Sequence, residues 1–288
     1  MSPRRNARAA APRAPVHRSV TRGRTRALGQ HYLRDRTVAE RVLALIAPTA
    51  RDLVVEIGPG RGALTHSLAA RAGRLLALEI DAGLAAALQA RFADAPSVEI
   101  LQADARRFDY GGLRARRPDP DGRVLVAGNL PYSVGKPILA ALVEAGPAID
   151  EMTLMLQKEV ADRVAAPPGS KTYGALSVLT QAAAQVRLAF AVPPGAFSPP
   201  PQVDSAVLHL RPHREPPVPI PDPHRFAAVV RAAFGQRRKS LANALAAGLA
   251  MPAEVARERC QAAGIDPGRR AETLSLAEFA RLTLAVRA

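Results

Sequence analysis

Residues 53–62 read Leu-Val-Val-Glu-Ile-Gly-Pro-Gly-Arg-Gly, an apolar run that passes directly into a glycine-rich turn. The run has the length and composition of a buried β-strand. Gly58, Gly60 and Ala63 fit the G-x-G-x-x-A pattern, in which glycine lets a ligand approach the backbone closely. Glu79, 21 residues after Gly58, can accept both hydroxyls of a ribose. This stretch therefore predicts an α/β fold that binds a nucleoside-bearing cofactor, with nicotinamide and S-adenosylmethionine cofactors both open.

Strand-like and helix-like segments alternate along the chain on both sides of this turn. Such alternation predicts βαβ units and a mostly parallel sheet. The last two strands have no helix between them, which predicts an antiparallel hairpin at one side of the sheet. Strands are predicted near 52–57, 74–80, 97–101, 123–128, 151–156, 185–192 and 203–210. Helices are predicted from about 35 to Pro48 and near 61–71, 82–94, 134–145, 157–165 and 172–184.

The composition changes toward both ends of the chain. Residues 1–25 alternate Arg with Ala, Pro, Ser and Thr, which predicts a disordered basic tail. Residues 213–223 belong to a proline-rich stretch that predicts a linker. Only helix-like segments follow it, near 224–234, 237–247, 252–263 and 275–286. Residues 224–288 are therefore predicted to form a small all-helical domain.

The net charge of +15 lies entirely at the two ends. Residues 1–34 hold nine Arg and no acid, and residues 224–288 hold eleven Lys and Arg against five acids. Residues 35–223 balance twenty basic against twenty acidic side chains. Because neutralised phosphates supply most nucleic-acid affinity, this distribution favours a polyanionic partner such as RNA.

Other features limit the protein class. No run of 18 apolar residues occurs, which argues against a membrane span. Cys260 is the only cysteine, so a disulfide framework and a cysteine-ligated zinc site are excluded, and no metal site is predicted. A reducing cytoplasm is the predicted location, although the Arg-rich start also fits an organellar transit peptide. No apolar surface pattern requires a dimer, so a monomer is predicted.

The tetrapeptide Asn129-Leu130-Pro131-Tyr132 follows a predicted strand, Val124 to Val126. Open α/β sheets bind their ligands at this end of a strand. Pro131 fixes its own φ and favours an extended Leu130. The Asn129 side chain and the Leu130 carbonyl can then point outward as two acceptors beside the flat ring of Tyr132. That arrangement suits a planar molecule with an exocyclic amine, such as adenine; a strand-ending turn with a buried Tyr is the alternative.

Two carboxyl groups favour S-adenosylmethionine over a dinucleotide. Glu56 lies two residues before Gly58, where a dinucleotide would place its pyrophosphate and S-adenosylmethionine its zwitterionic methionine end. Asp104 follows the third strand and can accept a hydrogen bond from the adenine amine of the cofactor. A helix-capping role is the alternative for Asp104.

Taken together, these blocks resemble the small-subunit (16S) ribosomal RNA adenine dimethyltransferases, the KsgA or RsmA family, within the wider group that includes the Erm methyltransferases. The resemblance runs from about residue 26 to the C-terminus. It rests on 28–33, 56–62, 78–81, 104–105, 129–132, 197–207, 234–245 and 264–274. It implies a Rossmann-like S-adenosylmethionine methyltransferase sheet over 26–212, mostly parallel with the last strand antiparallel. Residues 224–288 would be the RNA-binding domain.

The resemblance also implies roles for individual residues. Tyr132 would stack on the target adenine, and Phe197 would either close the other face of the base or belong to the core. Arg237, Arg238 and Lys239 would open a helix and contact RNA phosphates. The cofactor contacts fall on His31, Leu33, Gly58, Glu79, Asp104 and Asn129. His31 replaces the Asn common at its position, Tyr32 replaces Phe, and Lys136 replaces a small residue.

The implied reaction is dimethylation of the exocyclic amine of two adjacent adenosines in a hairpin loop near the 3′ end of 16S rRNA, within the small ribosomal subunit. Three alternatives remain at the level of sequence. They are an Erm-type enzyme of 23S rRNA, a non-catalytic RNA-binding assembly or transcription factor on the same fold, and a nicotinamide oxidoreductase.

Overall fold

The computed structural model describes residues 31–236 and 238–287. The predicted basic tail, 1–25, and the predicted phosphate contact Arg237 lie outside these residues. Strands are β1 Tyr32–Leu33, β2 Leu53–Ile57, β3 Arg74–Glu79, β4 Val98–Gln102, β5 Val124–Asn129, β6 Glu151–Gln157, β7 Ala184–Val192, β8 Phe197–Ser198 and β9 Ser205–Pro212. Helices are α1 Arg36–Ile46, α2 Thr65–Ala69, α3 Ala82–Arg91, α4 Gly135–Glu144, α5 Lys158–Val164, α6 Ala175–Ala183, α7 Pro223–Gly235, α8 Leu241–Gly248, α9 Ala253–Ala262 and α10 Leu276–Arg287.

The central sheet has the order β4-β3-β2-β5-β6-β9-β7. Strands β2 to β6 pair in parallel, and β9 is antiparallel to both β6 and β7. The predicted mostly parallel sheet with an antiparallel last strand is confirmed. The two-residue strands β1 and β8, which pair with each other, were not predicted. The helix predicted near 61–71 is shorter, Thr65–Ala69, because the glycine turn extends further.

Both faces of the sheet are buried, as expected for parallel strands covered by helices. Successive residues of β2 point to opposite faces: Val54 packs in the hydrophobic cluster that contains α1, and Val55 packs in the cluster on the other side. Helix α1 begins after Asp35, whose side chain accepts hydrogen bonds from the amides of Thr37 and Val38. Because β2 pairs in parallel with β5, the carboxyl ends of these two strands lie side by side at one edge of the sheet.

The C-terminal helices share a hydrophobic cluster of their own, which includes Phe226, Leu241, Cys260 and Phe279. Tyr173, which precedes α6, also belongs to it, and its hydroxyl donates a hydrogen bond of 3.1 Å to the Leu274 carbonyl. Packing therefore continues across the proline-rich stretch predicted as a linker. Among the residues that the structure describes, no helix is long and apolar enough to cross a bilayer.

Candidate active site

A cleft of about 350 Å³ opens at the carboxyl ends of the central strands. The glycine turn after β2 forms one wall, with Gly58 at φ +64° and Gly60 at φ +57°. A Cβ at Gly60 would lie 2.8 Å from Cδ1 of Tyr32, so a side chain here would meet both backbone strain and a clash. The two glycines therefore expose backbone without side chains to the cleft, as the sequence predicted.

Glu79 lies at the end of β3, beside this turn, and is 2% exposed. Its carboxylate accepts hydrogen bonds from the amides of Gly60, at 3.0 Å, and Asp81, at 2.9 Å. Burial raises the pKa of Glu79 although both amides oppose that shift. Each oxygen keeps further lone-pair capacity, so the group can still accept hydroxyl donors from a ligand in the cleft.

Glu56 lines a smaller cavity that shares Gly58, Gly60 and Asn129 with the main cleft. The side chain is 2% exposed, and its Oε2 has no hydrogen-bond partner among the described residues. Burial raises the pKa of Glu56 to about 8. Because a buried unpaired carboxyl is costly, the group fits a site that receives a cationic donor from a ligand. The amino group of S-adenosylmethionine is such a donor.

Asp104 lines the cleft, but its carboxylate is held by a residue that the sequence did not single out. The Arg106 guanidinium donates to both carboxylate oxygens, at 2.6 to 3.0 Å, and the Arg106 amide donates at 2.9 Å. These hydrogen bonds lower the pKa of Asp104, which keeps it an ionised acceptor. The side chain of Ile80, 44% exposed, lies in the same cleft and offers an apolar surface to a flat ring.

Asn129 ends β5, and its side-chain Nδ2 donates a hydrogen bond of 2.8 Å to the His31 carbonyl. Since a carbonyl can only accept, this bond directs the amide nitrogen toward His31 and leaves the amide oxygen on the other branch of the side chain. The amide of Leu130 donates to the Met155 carbonyl at 3.0 Å, and the Leu130 side chain is buried. Leu130 can therefore offer the cleft only its backbone.

Tyr132 lines the cleft next to this corner. Its hydroxyl shares a hydrogen bond of 2.6 Å with Oγ of Ser205, a buried residue of β9. Its ring centroid lies 5.2 Å from that of His31, whose Nδ1 donates 2.8 Å to the Pro199 carbonyl. His31 thus holds Asn129 through its backbone and contacts Tyr132 through its ring.

Comparison with known proteins identifies the family. A family model described as ribosomal RNA adenine dimethylase matches residues 22–287. The chain belongs to this family. Ribosomal RNA small subunit methyltransferase A of Geobacter sulfurreducens is 46% identical over 259 residues, which cover 90% of this chain and 93% of that protein. The protein of the same name from Chromohalobacter salexigens is 41% identical and covers 97% of this chain and 95% of its own length.

Solved structures agree with this assignment. The 23S rRNA methyltransferase ErmE superimposes with a TM-score of 0.64 at 26% identity and covers 89% of this chain and 100% of its own. A dimethyladenosine transferase from Plasmodium falciparum has a TM-score of 0.72 at 22% identity, with 89% and 98% coverage, and supports the fold. The chain is thus a ribosomal RNA methyltransferase of the adenine dimethylase family, and the nicotinamide oxidoreductase reading is wrong.

Two residues that the resemblance implies for this site, Phe197 and Leu33, are buried. Phe197 is 1% exposed and packs in the cluster with α1, paired in β8 against Leu33 of β1. It does not line the cleft, so its position fits the core alternative, and the stacking role stays a prediction. Leu33 is also buried, although it lines the smaller cavity beside Glu56.

The described members of the predicted phosphate-contacting run, Arg238 and Lys239, lie exposed in a turn. They do not open a helix, because α8 begins only at Leu241, after Ser240. Lys136 is exposed in the first turn of α4, and nothing in the structure explains its presence there.

Proposed function

We propose that this protein dimethylates the exocyclic amines of two adjacent adenosines in the 3′-terminal hairpin loop of small-subunit rRNA, with S-adenosylmethionine as the methyl donor. The proposal includes a monomer that acts in the cytoplasm on a pre-assembled small ribosomal subunit. It extends the family assignment from ribosomal RNA to a particular amine, cofactor and RNA.

The observation that carries the proposal is the orientation of Asn129. Its Nδ2 donates one hydrogen to the His31 carbonyl, which orients the amide so that its oxygen would be presented to the cleft as an acceptor. An exocyclic amine has two hydrogens to donate, and the Leu130 carbonyl supplies the second acceptor. Two fixed acceptors align the amine nitrogen and favour a pyramidal geometry, in which the lone pair is less delocalised into the ring.

The residues around the cleft also fit the methyl donor. Glu56 would pair with its amino group, Glu79 with its ribose hydroxyls and Asp104 with its adenine amine. S-adenosylmethionine, when bound, supplies an electrophilic methyl group. No strong general base is required of the chain, since the amine proton becomes acidic only after the nitrogen gains positive charge.

Tyr132 would stack on the target adenine, a contact worth about 1–3 kcal/mol. The Ser205 hydrogen bond would hold the ring in place for it. To reach this cleft, the adenine must leave its helix or loop. A singly methylated amine keeps one hydrogen, so the same corner can orient it for a second transfer.

Asn129→Ala tests the proposal. Methyl transfer to rRNA in small subunits from a deletion strain should fall by about 10²–10³-fold, the usual effect of removing one oriented polar group. Binding of S-adenosylhomocysteine, measured by calorimetry, should change far less. Asn243→Ala, on the exposed side of α8, is the control and should leave both unchanged. Near-normal turnover of N129A would contradict the role of the corner.

The choice of RNA needs a separate experiment, because ErmE shares the fold at 26% identity. The relatives at 41–46% identity carry small-subunit names, which favours the small subunit. Primer extension and mass spectrometry of both rRNAs, with and without the protein, should find dimethyladenosine only in the small-subunit RNA. Modification of 23S rRNA instead would support the Erm-type alternative.

A further inference from the structure

A second surface, on β6, β9 and β7, carries charge that the catalytic cleft does not use. Arg187 of β7 lies opposite His209 of β9, and Gln185 lies opposite Arg211. These four side chains line a cavity of about 170 Å³. Cations placed on neighbouring positions of two strands repel each other, so the arrangement costs stability unless an anion neutralises it.

The acid nearest to these cations is Glu151 of β6, and it is shared. Its carboxylate lies 3.5 Å from Arg211 Nη2, 3.6 Å from Arg123 Nη1 and 3.3 Å from His209 Nε2. Within residues 31–236, Arg187 and Arg214 form no ion pair with an acidic side chain, and both are exposed. Positive charge therefore remains uncompensated here.

A larger cavity of about 610 Å³ adjoins the first and shares Arg211 with it. Arg114, Arg123, Arg211 and Arg214 line it around Asp150 and Glu151. The Asp150 carboxylate already accepts hydrogen bonds from Arg114, at 2.8 Å, and from the Val124 amide, at 2.7 Å. It therefore does not neutralise the other arginines of this cavity. The two cavities form one continuous basic surface, named here the distal groove.

The distal groove lies at the amino ends of β5 and β6, whereas the catalytic cleft lies at their carboxyl ends. Strands of this length at about 3.3 Å per residue place the two roughly 20 Å apart. The groove therefore cannot contact the target adenosine while that adenosine is in the cleft. A ligand of the groove would therefore be a group other than the target adenosine.

We propose that the distal groove binds backbone phosphates of the substrate RNA away from the methylated loop. This inference rests on the proposed function, since it assumes an RNA substrate. The groove's cations are arginines, whose planar guanidinium donates two parallel hydrogen bonds to a phosphate. The groove is open and contains arginines both with and without ion pairs to acidic side chains. These features suit an extended polyanion that is bound through its charge.

The test is the double variant Arg187→Gln/Arg214→Gln, which removes the two arginines without ion pairs and leaves the Glu151 contacts intact. The matched control is Arg36→Gln/Arg91→Gln, which removes the same charge from exposed helical positions of α1 and α3 in the same part of the chain. RNA affinity is measured for the full chain on small-subunit rRNA over a series of salt concentrations. Because each phosphate contact contributes about 0.7–0.9 to the slope of log affinity against log salt, R187Q/R214Q should lower it by roughly 1.5.

The supporting result is this loss of slope, with affinity near 0.15 M salt reduced roughly tenfold relative to the control. The kcat at saturating RNA and the affinity for S-adenosylhomocysteine should stay at parent values, and the Tm should not fall. Equal slopes of log affinity against log salt for the two double variants would contradict phosphate binding at the distal groove. The proposed function would be unaffected by that result. A parent chain that does not methylate or bind small-subunit rRNA would overturn both.

Discussion

The carboxyl and amino ends of the central strands form two edges of the sheet. These edges differ in charge and in how many of their polar groups are held by hydrogen bonds. At the carboxyl edge, Glu56, Glu79 and Asp104 line connected cavities, and most of their polar atoms have defined partners. At the amino edge, four arginines line one cavity with Asp150 and Glu151; Arg123 also pairs with the buried Asp52, and Arg211 and Arg214 are exposed. Residues 35–223 hold equal numbers of basic and acidic side chains, yet the fold gathers several of the arginines at the amino edge.

The ligands proposed for the two edges account for this difference. Methyl transfer needs groups held at fixed positions, which buried hydrogen bonds provide at Asn129, Tyr132 and Glu79. Phosphates can be bound by mobile cations, since Coulomb attraction depends weakly on orientation. We therefore expect substitutions at the carboxyl edge to act through packing and hydrogen bonds. Substitutions on the basic surfaces should act through charge.

The largest expected effect comes from the packing beneath the carboxyl edge. Phe197→Ala removes a fully buried ring and should lower the free energy of unfolding by about 3–5 kcal/mol, measured by urea denaturation. Phe197→Leu keeps an apolar side chain there and should leave the kcat and KM for RNA unchanged. A selective loss of kcat in the leucine variant would support the stacking role.

Glu56 offers a pH test of the same edge. The buried carboxyl has a pKa of about 8, whereas an unfolded Glu titrates near about 4.3. The folded chain therefore holds a proton that the unfolded chain releases, and this group lowers stability as the pH rises between these values. Glu56→Gln should remove that decline and stabilise the cofactor-free protein at pH 7 by on the order of 2 kcal/mol.

Urea unfolding at pH 5 and pH 7 measures this effect, and Glu258→Gln on the exposed face of α9 is the control. E56Q should also weaken binding of S-adenosylhomocysteine, because the partner of its amino group is lost. An unchanged pH dependence would mean that Glu56 is already ionised in the folded protein.

A smaller effect is expected from the hydrogen bond between Tyr132 and Ser205. Tyr132→Phe and Ser205→Ala should each lower kcat/KM for RNA by an amount equivalent to about 0.5–1.5 kcal/mol. The double variant should be no worse than either single variant, since both delete the same bond. Ser177→Ala, at another buried serine, should affect Tm alone. Additive losses would show that the bond does not position the ring.

The smallest effect is expected in the exposed turn before α8. Arg238→Gln/Lys239→Gln should weaken RNA binding and lower the salt slope by at most about 0.7–0.9 per residue. Cofactor binding and the free energy of unfolding should not change. An effect no larger than that of Arg257→Gln alone would remove this turn from the RNA-binding surface.

Much of the fold was predictable because apolar patterning and glycine turns act locally. The alternation of strands and helices, the antiparallel last strand and the turn at Gly58 and Gly60 all follow from residues close in the chain. The two-residue strands β1 and β8 were missed, since they exist only through pairing between Tyr32–Leu33 and Phe197–Ser198. The role of Arg106 was missed because it consists of hydrogen bonds to the Asp104 carboxylate, and no sequence motif indicates them.

The amino-acid sequence by itself determined the order of elements, the cofactor turn and the tetrapeptide Asn129 to Tyr132. Tertiary structure alone decided which atoms of that tetrapeptide face the cleft, because the donor-to-carbonyl bond from Asn129 to His31 spans 98 residues. It also decided that Phe197 is core and that arginines far apart in the chain meet at one edge of the sheet. The orientation of the Asn129 side chain and the clustering of the arginines arise from contacts between distant segments. No local sequence pattern predicts such contacts.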